Sequence, residues 1–277
     1  MSASALFAGS VSSLYAKVRP TVSQPLIDRV MQFLGENKAP PTYNLAVDVG
    51  CGTGLNTRFL APHFKKFIGF DVSPTQIGEA RKANTHSNVT YEVNDSKRFP
   101  CDNESVDLIT VIQTAHWLHH EPFFKESDRV LVPKTGVIAI MGYTAPTLSS
   151  APSPRSRVAL NEAMRDFHKA LWKGGAWHKD RLILDRQYRD IKLPYRNQIE
   201  IRNDPELYLY KDMTVQTFID YLSTWSGYRE FETKYPRYQL LNETKQRILS
   251  ALPTDSSREP VVTVAFPWFL LMCRKAS

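Results

Sequence analysis

A short glycine-rich segment, Gly50-Cys51-Gly52-Thr53-Gly54, constrains the fold of this chain more than any other feature. It follows the apolar run from Leu45 to Val49, which is typical of a strand buried on both faces, and precedes a stretch of helical character. Glycines here allow positive φ and let a ligand approach the backbone, while amides at the start of the helix point at an anion. The segment therefore predicts a strand, loop and helix that bind a nucleotide-like ligand.

The glycine spacing separates this loop from two common nucleotide-binding loops. The dinucleotide fingerprint needs glycine or alanine at position 55, which is Leu55 in this chain. A phosphate-binding P-loop needs a Gly-Lys-Ser/Thr sequence, which does not follow. The pattern disfavours NAD and disfavours nucleoside triphosphates more strongly.

Short apolar runs alternate with helical stretches between residues 45 and 142, which is typical of βαβ units in a parallel sheet. Pro74 follows Ser73 as a first-turn proline follows an N-cap, so we expect a helix to begin there. We expect two other helices to begin near Leu55 and Glu121. The expected strands are Leu45 to Val49, Lys66 to Phe70, Val89 to Val93, Val106 to Ile112 and Gly136 to Met141.

The regular alternation stops after Met141, where a Pro/Ser-rich linker covers Ala145 to Pro154. A helical stretch then ends at the breaker pair Gly174-Gly175. Beyond it we expect strands over Ile191 to Ile201 and Val261 to Met272, and helices over Val215 to Trp225 and Tyr238 to Leu249.

Composition excludes a mainly disordered chain, because 42% of the 277 residues are hydrophobic and 23% are charged. The longest apolar stretch, Val261 to Cys273, is too short for a membrane-spanning helix, which needs about 20 residues. Residues 1 to 16 lack the basic start of a secretory signal, and three widely spaced cysteines do not form a disulfide framework. We therefore expect a cytoplasmic protein.

Charge is uneven along the chain, whose formal net charge is +7. Residues 143 to 277 hold 21 basic and 15 acidic side chains, so most of the positive excess lies in the second half. Such an excess suits an acidic metabolite, a nucleic acid or a solvated basic surface.

Asp71 lies 21 residues beyond Gly50, at the end of the second expected strand. In doubly wound folds an acidic side chain at this place accepts hydrogen bonds from ribose hydroxyls. Together with the glycine loop, Asp71 predicts an adenosine-containing ligand.

Three segments, Asp48 to Gly54, Gly69 to Ser73 and Asn94 to Ser96, resemble the class I S-adenosylmethionine-dependent methyltransferases. The resemblance implies an α/β fold with a doubly wound, seven-stranded, mostly parallel sheet, whose last strand is antiparallel and which carries a helical cap insertion. It also implies S-adenosyl-L-methionine as the cofactor. The residues implied to bind it are Asp48, Gly50, Gly52 and Gly54 around the methionine part, Asp71 at the ribose, Val72 on the adenine face, and Asp95 or Ser96 at the adenine amine.

Three further patches are similar to the branch that includes the fungal trans-aconitate methyltransferases: Tyr15 to Pro20, Thr114 to Trp117 and Thr224 to Tyr228. This resemblance implies that Tyr15 and Arg19 close over the cofactor, and that Gln113 and His116 lie beside the transferred methyl group. The implied organisation is a helical lid over residues 1–44, a cofactor-binding core over 45–142, and a substrate cap with the last two strands over 143–277. The implied reaction is O-methylation of a trans-aconitate-like carboxylate.

The chemistry of His116 depends on the acceptor. An amine or phenol must lose a proton, which a histidine could accept, whereas a carboxylate is already ionised. His116 could equally be structural. Four aromatic residues, Trp117, Trp177, Trp225 and Tyr228, either line a substrate chamber or pack in the core.

Two rival functions stay open at this point: methylation of RNA or another macromolecule, and cofactor binding without turnover. The chain lacks the Asp/Asn-Pro-Pro-Tyr signature of adenine-amine methyltransferases, since Gln113-Thr-Ala-His116 stands in that place. His119 and His120 have no further ligands at useful spacing, so we assign no metal site. We expect a small-molecule acceptor rather than nucleic acid, no membrane span, and a monomer or homodimer.

Overall fold

The computed structural model describes residues 17–36, 43–149, 153–253 and 259–276. Tyr15, which the sequence predicts to close over the cofactor, lies outside these residues. The strands are β1 (Tyr43–Val49), β2 (Phe64–Asp71), β3 (Val89–Val93), β4 (Leu108–Ile112), β5 (Val137–Tyr143), β6 (Thr147–Leu148), β7 (Gln198–Ile201), β8 (Leu209–Thr214), β9 (Val261–Phe266) and β10 (Trp268–Arg274).

Within the described residues, seven strands form one sheet in the order β3-β2-β1-β4-β5-β10-β7. The first five pair in parallel, and β10 runs antiparallel to both β5 and β7. The strand order reverses direction between β1 and β4, where doubly wound sheets open a crevice for ligands. The predicted α/β fold with a mostly parallel seven-stranded sheet is confirmed.

The helices are α1 (Gln24–Gly35), α2 (Thr57–Leu60), α3 (Pro74–Ala83), α4 (His120–Val130), α5 (Pro154–Lys173), α6 (Arg181–Asp185), α7 (Val215–Ser223), α8 (Ser226–Lys234) and α9 (Leu240–Ser250). The α3 helix begins where the sequence predicts, because the Ser73 hydroxyl accepts a hydrogen bond from the Gln76 amide. The α4 helix begins one residue before the expected Glu121.

The central strands read as continuously apolar because the sheet is covered on both faces. In β5, Val137, Ala139 and Met141 join the apolar cluster that includes α1 and α3, whereas Ile138 and Ile140 join the cluster that includes α4. Successive side chains of a strand point to opposite faces, so each of these strands supplies both halves of the core.

Two expected strands differ from the observed ones. The run from Val261 to Met272 is divided at Pro267: β9 pairs with β6 and β8 in a small three-stranded sheet, whereas β10 enters the main sheet. In the run from Ile191 to Ile201, strand structure is confined to Gln198–Ile201, and Pro194 lies in the part that is loop. Proline has no amide hydrogen to donate to a ladder, which explains both interruptions.

Three helices of the second half form a helical layer on the face of the sheet that α1 covers. Helices α5, α7 and α8 contribute Phe167, Phe218 and Phe231 to the same apolar cluster as α1. The boundaries at residues 44 and 142 stay a prediction. None of the helices in the described residues is both long and apolar enough to cross a membrane.

The buried Arg274 fastens the last strand to the C-terminal end of α1. Its guanidinium donates to the main-chain carbonyls of Phe33, Leu34 and Thr135 and stacks on the Phe33 ring, 4.6 Å from its centroid. We expect Arg274→Met to lower the free energy of unfolding by about 2 to 4 kcal/mol, because it leaves buried carbonyls without donors. Urea unfolding would measure this, with the exposed Arg237→Met as the matched control. A loss equal to that of the control would contradict the anchoring role.

Candidate functional site

The glycine loop connects β1 to α2 with three residues in the left-handed region: Gly50 at φ 70°, Gly52 at φ 56° and Gly54 at φ 70°. A side-chain carbon added at Gly50 would come within 2.2 Å of the Thr114 methyl carbon. One added at Gly52 would meet nothing closer than 3.9 Å. Gly50 is therefore required by close packing against the end of β4, whereas Gly52 borders open space.

Hydrogen bonds from two neighbouring strands hold this loop in place. The main-chain N–H groups of Gly50 and Cys51 donate to the carbonyl of Phe70 in β2, at 2.8 and 3.0 Å. The hydroxyl of Thr114, just after β4, donates to the carbonyl of Gly50 at 3.1 Å. The loop is therefore fixed between the carboxyl ends of β2 and β4.

Asp48 lies beneath the loop and is fully buried, with 1% of its surface exposed. Its carboxylate accepts hydrogen bonds from the hydroxyls of Thr57, at 2.6 Å, and Thr110, at 2.9 Å. Burial raises its pKa to about 6, although both hydroxyls oppose that shift. Asp48 thus connects β1, α2 and β4.

A large cleft of about 650 Å³ opens at the carboxyl ends of β1, β2 and β4. It brings together most of the residues that the sequence predicts to bind the cofactor. Those lining it are Arg19, Gly50, Gly52, Asp71, Val72, Asp95, Ser96 and Gln113. Asp48 and Gly54 are not among its lining residues, since Asp48 lies beneath the loop and Gly54 packs towards Tyr91.

The side chain of Asp71 is fixed at the end of β2. One carboxylate oxygen accepts from the Gly52 N–H at 3.1 Å, and the other accepts from the Ser73 N–H at 2.9 Å. Burial raises the pKa of Asp71, and these amides oppose the rise. The next residue, Val72, leaves 50% of its surface exposed and so presents an apolar patch to the cleft.

The cleft has further lining residues that sequence reasoning missed. Two of them carry buried polar atoms, Thr53 Oγ1 and Gln76 Oε1, that have no hydrogen-bond partner among the described residues. Thr53 belongs to the glycine loop, so the sequence could have identified it as a cleft residue. Gln76 lies in α3, and no sequence pattern marks it as one. Other lining residues that were missed are Asn94, Tyr143 and His178.

A small cavity of about 250 Å³ adjoins the large cleft. Three predicted substrate residues, Trp117, Trp177 and Trp225, line it together with His116. The two spaces share four lining residues, namely Arg19, Gln113, Trp117 and His178. Tyr228 is not among the lining residues; its hydroxyl donates to Glu232 at 3.1 Å, and its ring stacks on Phe167.

These four residues form a wall shared by the two spaces, and one of them, Arg19, joins two of the sequence patches, Tyr15 to Pro20 and Thr224 to Tyr228. Its guanidinium donates to the Thr224 hydroxyl at 3.0 Å and to the Thr224 carbonyl at 2.8 Å. A third hydrogen bond, 3.1 Å long, reaches the Tyr143 hydroxyl at the end of β5. Arg19 therefore connects the N-terminal segment, the helical layer and the sheet.

Gln113 occupies the shared wall with a strained backbone, at φ 58°. Its side-chain amide is paired with the main chain of Tyr143, accepting at 3.0 Å and donating at 3.2 Å. These two hydrogen bonds fix the turn after β4, from which His116 and Trp117 extend.

His116 is 7% exposed and lies 3.0 Å, through Nδ1, from the hydroxyl oxygen of Tyr188. Burial, with a smaller contribution from the positive charges of Arg181 and, when protonated, His178, lowers the pKa of His116 to about 3. The imidazole is therefore neutral at physiological pH. No group of three or more His, Cys, Asp or Glu side chains gathers as a possible metal site in the part of the chain that the structure describes.

Comparison with known proteins identifies the family. Residues 47–140 match the family model of a methyltransferase domain. This chain is 31% identical to a Dictyostelium discoideum protein that is named as a methyltransferase, over 96% of this chain and 94% of that protein. A Saccharomyces cerevisiae protein assigned by name to the S-adenosylmethionine-dependent methyltransferases is 24% identical over 95% of both chains.

The fold agrees with these matches. A solved structure from Anaeromyxobacter dehalogenans, titled as a type II methyltransferase, superimposes with a TM-score of 0.73 at 24% identity, over 94% of this chain and 99% of that one. The chain therefore belongs to the class I S-adenosylmethionine-dependent methyltransferases.

Proposed function

We propose that this enzyme methylates a small molecule bound in the small cavity, while S-adenosylmethionine occupies the large cleft. The observation that carries the proposal is the wall of Arg19, Gln113, Trp117 and His178, which borders both spaces. An acceptor in the small cavity needs to pass only this layer of side chains to reach the cofactor.

The walls of the large cleft fit S-adenosylmethionine. The open space at Gly52 and the unpartnered polar atoms of Thr53 and Gln76 suit the polar methionine part. The Asp71 carboxylate suits ribose hydroxyls, and the exposed Val72 suits the adenine face. Asp95 and Ser96, on the turn after β3, are assigned to the adenine amine by resemblance.

When bound, the cofactor supplies an activated methyl group: a lone pair of the acceptor forms a bond to the methyl carbon, and the electron pair of the broken carbon–sulfur bond stays on sulfur. The protein's tasks are to align the acceptor and to exclude water. Trp117, Trp177 and Trp225 provide apolar walls for both tasks. We assign Tyr228 a supporting place behind them, since its ring packs on Phe167, which in turn contacts Trp225 edge-on.

For the acceptor we propose a carboxylate, of which a trans-aconitate-like acid is the lead candidate. The small cavity is lined by Arg19, Arg181 and Lys234, against one acidic residue, Glu230. A carboxylate needs no general base, in agreement with the low pKa of His116. The lid over residues 1–44, the cap over 143–277, a cytoplasmic location and a monomeric or homodimeric state belong to the same proposal.

The first test is titration calorimetry with S-adenosylmethionine and S-adenosylhomocysteine, followed by a methyl-donor consumption screen. The screen covers small acids, amines, phenols, thiols and bulk RNA. We expect both cofactor forms to bind and a small acid to be methylated. Turnover on RNA alone would favour a macromolecular acceptor instead, and binding without turnover on any class would favour a protein that binds the cofactor without catalysis.

Gly52→Arg tests the position of the methionine part. The added side chain would extend into the large cleft without striking the loop, so we expect cofactor binding to be lost in calorimetry. The positive φ of Gly52 should cost about 1 to 2 kcal/mol of stability, which urea unfolding would measure separately. Gly78→Arg in α3, where an added carbon meets nothing within 4 Å, is the matched control. Native affinity in the Gly52 variant would refute the assignment of the loop.

Asp71→Ala tests the ribose contact. Losing hydrogen bonds to a carboxylate should weaken cofactor binding roughly 10-fold to 100-fold in calorimetry. Because Asp71 also accepts hydrogen bonds from the amides of Gly52 and Ser73, Asp71→Asn is the second variant, which keeps one acceptor oxygen. We expect its affinity to lie between those of the wild type and Asp71→Ala. Near-native affinity in both variants would move the ribose contact elsewhere.

A further inference from the structure

We propose that Arg181 and His116 form a donor pair that selects an oxyanion of a small acid as the acceptor in the small cavity. This inference rests on the proposed function and adds which side chains hold the acceptor. In it, His116 donates a hydrogen bond from Nε2, and Tyr188 is a positioning residue behind it.

The guanidinium of Arg181 is held by contacts that leave its outer nitrogens available. Nε donates to Asp185 at 3.0 Å, and the guanidinium carbon lies 4.5 Å from the Trp177 ring centroid and 5.8 Å from that of Trp225. The side chain is 16% exposed and lines the cavity. Nη1 and Nη2 donate to no group within the part of the chain that the structure describes. Arg181 therefore holds Nη1 and Nη2 rigidly towards the cavity, and two such planar donors can bind an oxyanion through two hydrogen bonds.

The other charged groups of the cavity are already engaged with the protein. Arg19 donates to Thr224 and Tyr143. Lys234 lies 3.2 Å from Glu230 and donates to the carbonyl of Gly175 at 2.6 Å. Asp185 partly neutralises Arg181 from behind, so we expect hydrogen-bond geometry to contribute more to selection than net charge does.

The contact with Tyr188 determines which ring nitrogen of His116 carries the proton. The hydroxyl of Tyr188 is fully buried, and Nδ1 of His116 is its one hydrogen-bond partner among the described residues, so its O–H has that nitrogen alone as acceptor. Burial raises the pKa of Tyr188 far above its usual value, so that proton is retained. The Tyr188 O–H therefore donates to Nδ1 of His116 over 3.0 Å, and the neutral imidazole carries its proton on Nε2.

This protonated Nε2 is available to an acceptor. It makes no hydrogen bond to the described residues, and His116 lines the cavity. Arg181 lies near enough for its charge to lower the pKa of His116. An oxyanion can accept hydrogen bonds from both Arg181 and Nε2–H of His116. The N–H groups of an amine or amide would instead face these two donors and find no acceptor between them.

The first experiment compares small carboxylic acids, trans-aconitate among them, with their primary amides. Each is titrated into the S-adenosylhomocysteine-loaded enzyme, and tryptophan fluorescence is recorded, because Trp177 and Trp225 lie against Arg181. We expect acids to bind and amides to bind at least 10-fold more weakly. Arg181→Lys should weaken acid binding roughly 10-fold, and Arg181→Met should weaken it further.

Two controls keep this result specific. Arg186→Met, an exposed arginine near α6 paired with Asp190, should leave acid binding unchanged. Cofactor affinity should stay native in all three variants. Amides binding as well as acids, or acids binding equally to Arg181→Met, would overturn the inference. Acid binding that depends on Arg181, without turnover on any acceptor, would uphold it and refute the proposed methyl transfer.

The second experiment separates a donor from a base at His116. His116→Gln places an N–H near the position of Nε2 but cannot act as a base, whereas His116→Leu supplies neither. We expect Gln to retain acid binding within about 10-fold of the wild type and Leu to lose it. A Gln variant as defective as Leu would contradict the donor role.

The pH profile gives an independent measurement. The groups that face His116 are Arg181, His178 and Tyr188, and Arg19, Lys234 and Glu230 complete the charged lining. Because the folded-state pKa of His116 is lowered to about 3, the imidazole is neutral above about pH 4, and acid binding should show no loss from His116 between pH 5 and 8. For Tyr188→Phe, which frees Nδ1, we expect weaker acid binding at unchanged cofactor affinity. A loss of binding near pH 6.5 in the wild type that His116→Gln abolishes would overturn the assignment.

Discussion

The buried carboxylate of Asp48 is the constraint on which the site depends. It accepts hydroxyl hydrogen bonds from Thr57 and Thr110 and so joins β1 to the helix after the glycine loop and to the neighbouring strand. Burying a charge is unfavourable, and the raised pKa of Asp48 reflects that cost. Between these joined ends, the loop takes left-handed conformations at Gly50, Gly52 and Gly54.

The second constraint is the wall between the two spaces, which elements distant in sequence build together. Arg19 precedes β1, yet its guanidinium is held by Thr224 in the helical layer and by Tyr143 in the sheet. Gln113 is held by the main chain of Tyr143 from the other side. The cleft and the cavity therefore share residues whose positions depend on the whole fold, so a change in the helical layer can alter both.

The sequence predicted the parts of the structure that local rules determine. The glycine loop, the Ser73-Pro74 helix start and the apolar central strands each carry a backbone requirement that is visible within about ten residues. The division of the last strands at Pro267 was readable in principle, because proline cannot donate to a ladder. Arg181 and His178, which line the cavity, and Tyr188, which contacts His116 from behind, gave no such signal, because the packing of α6 and its flanking loops against the turn after β4 brings them there.

In the proposed acceptor site, two segments, the turn after β4 and the stretch around α6, determine acceptor specificity. The turn after β4 supplies His116, and the buried Tyr188 hydroxyl beside its Nδ1 orients it. The segment around α6 supplies both Tyr188 and Arg181, so one stretch of chain sets the tautomer of the imidazole and the position of the guanidinium. A change in this segment could alter the acceptor class while the glycine loop and Asp71 stay as they are. On the proposed assignment, the residues that hold the cofactor and those that hold the acceptor lie in separate segments, which would allow one Rossmann-like core to serve different acceptors.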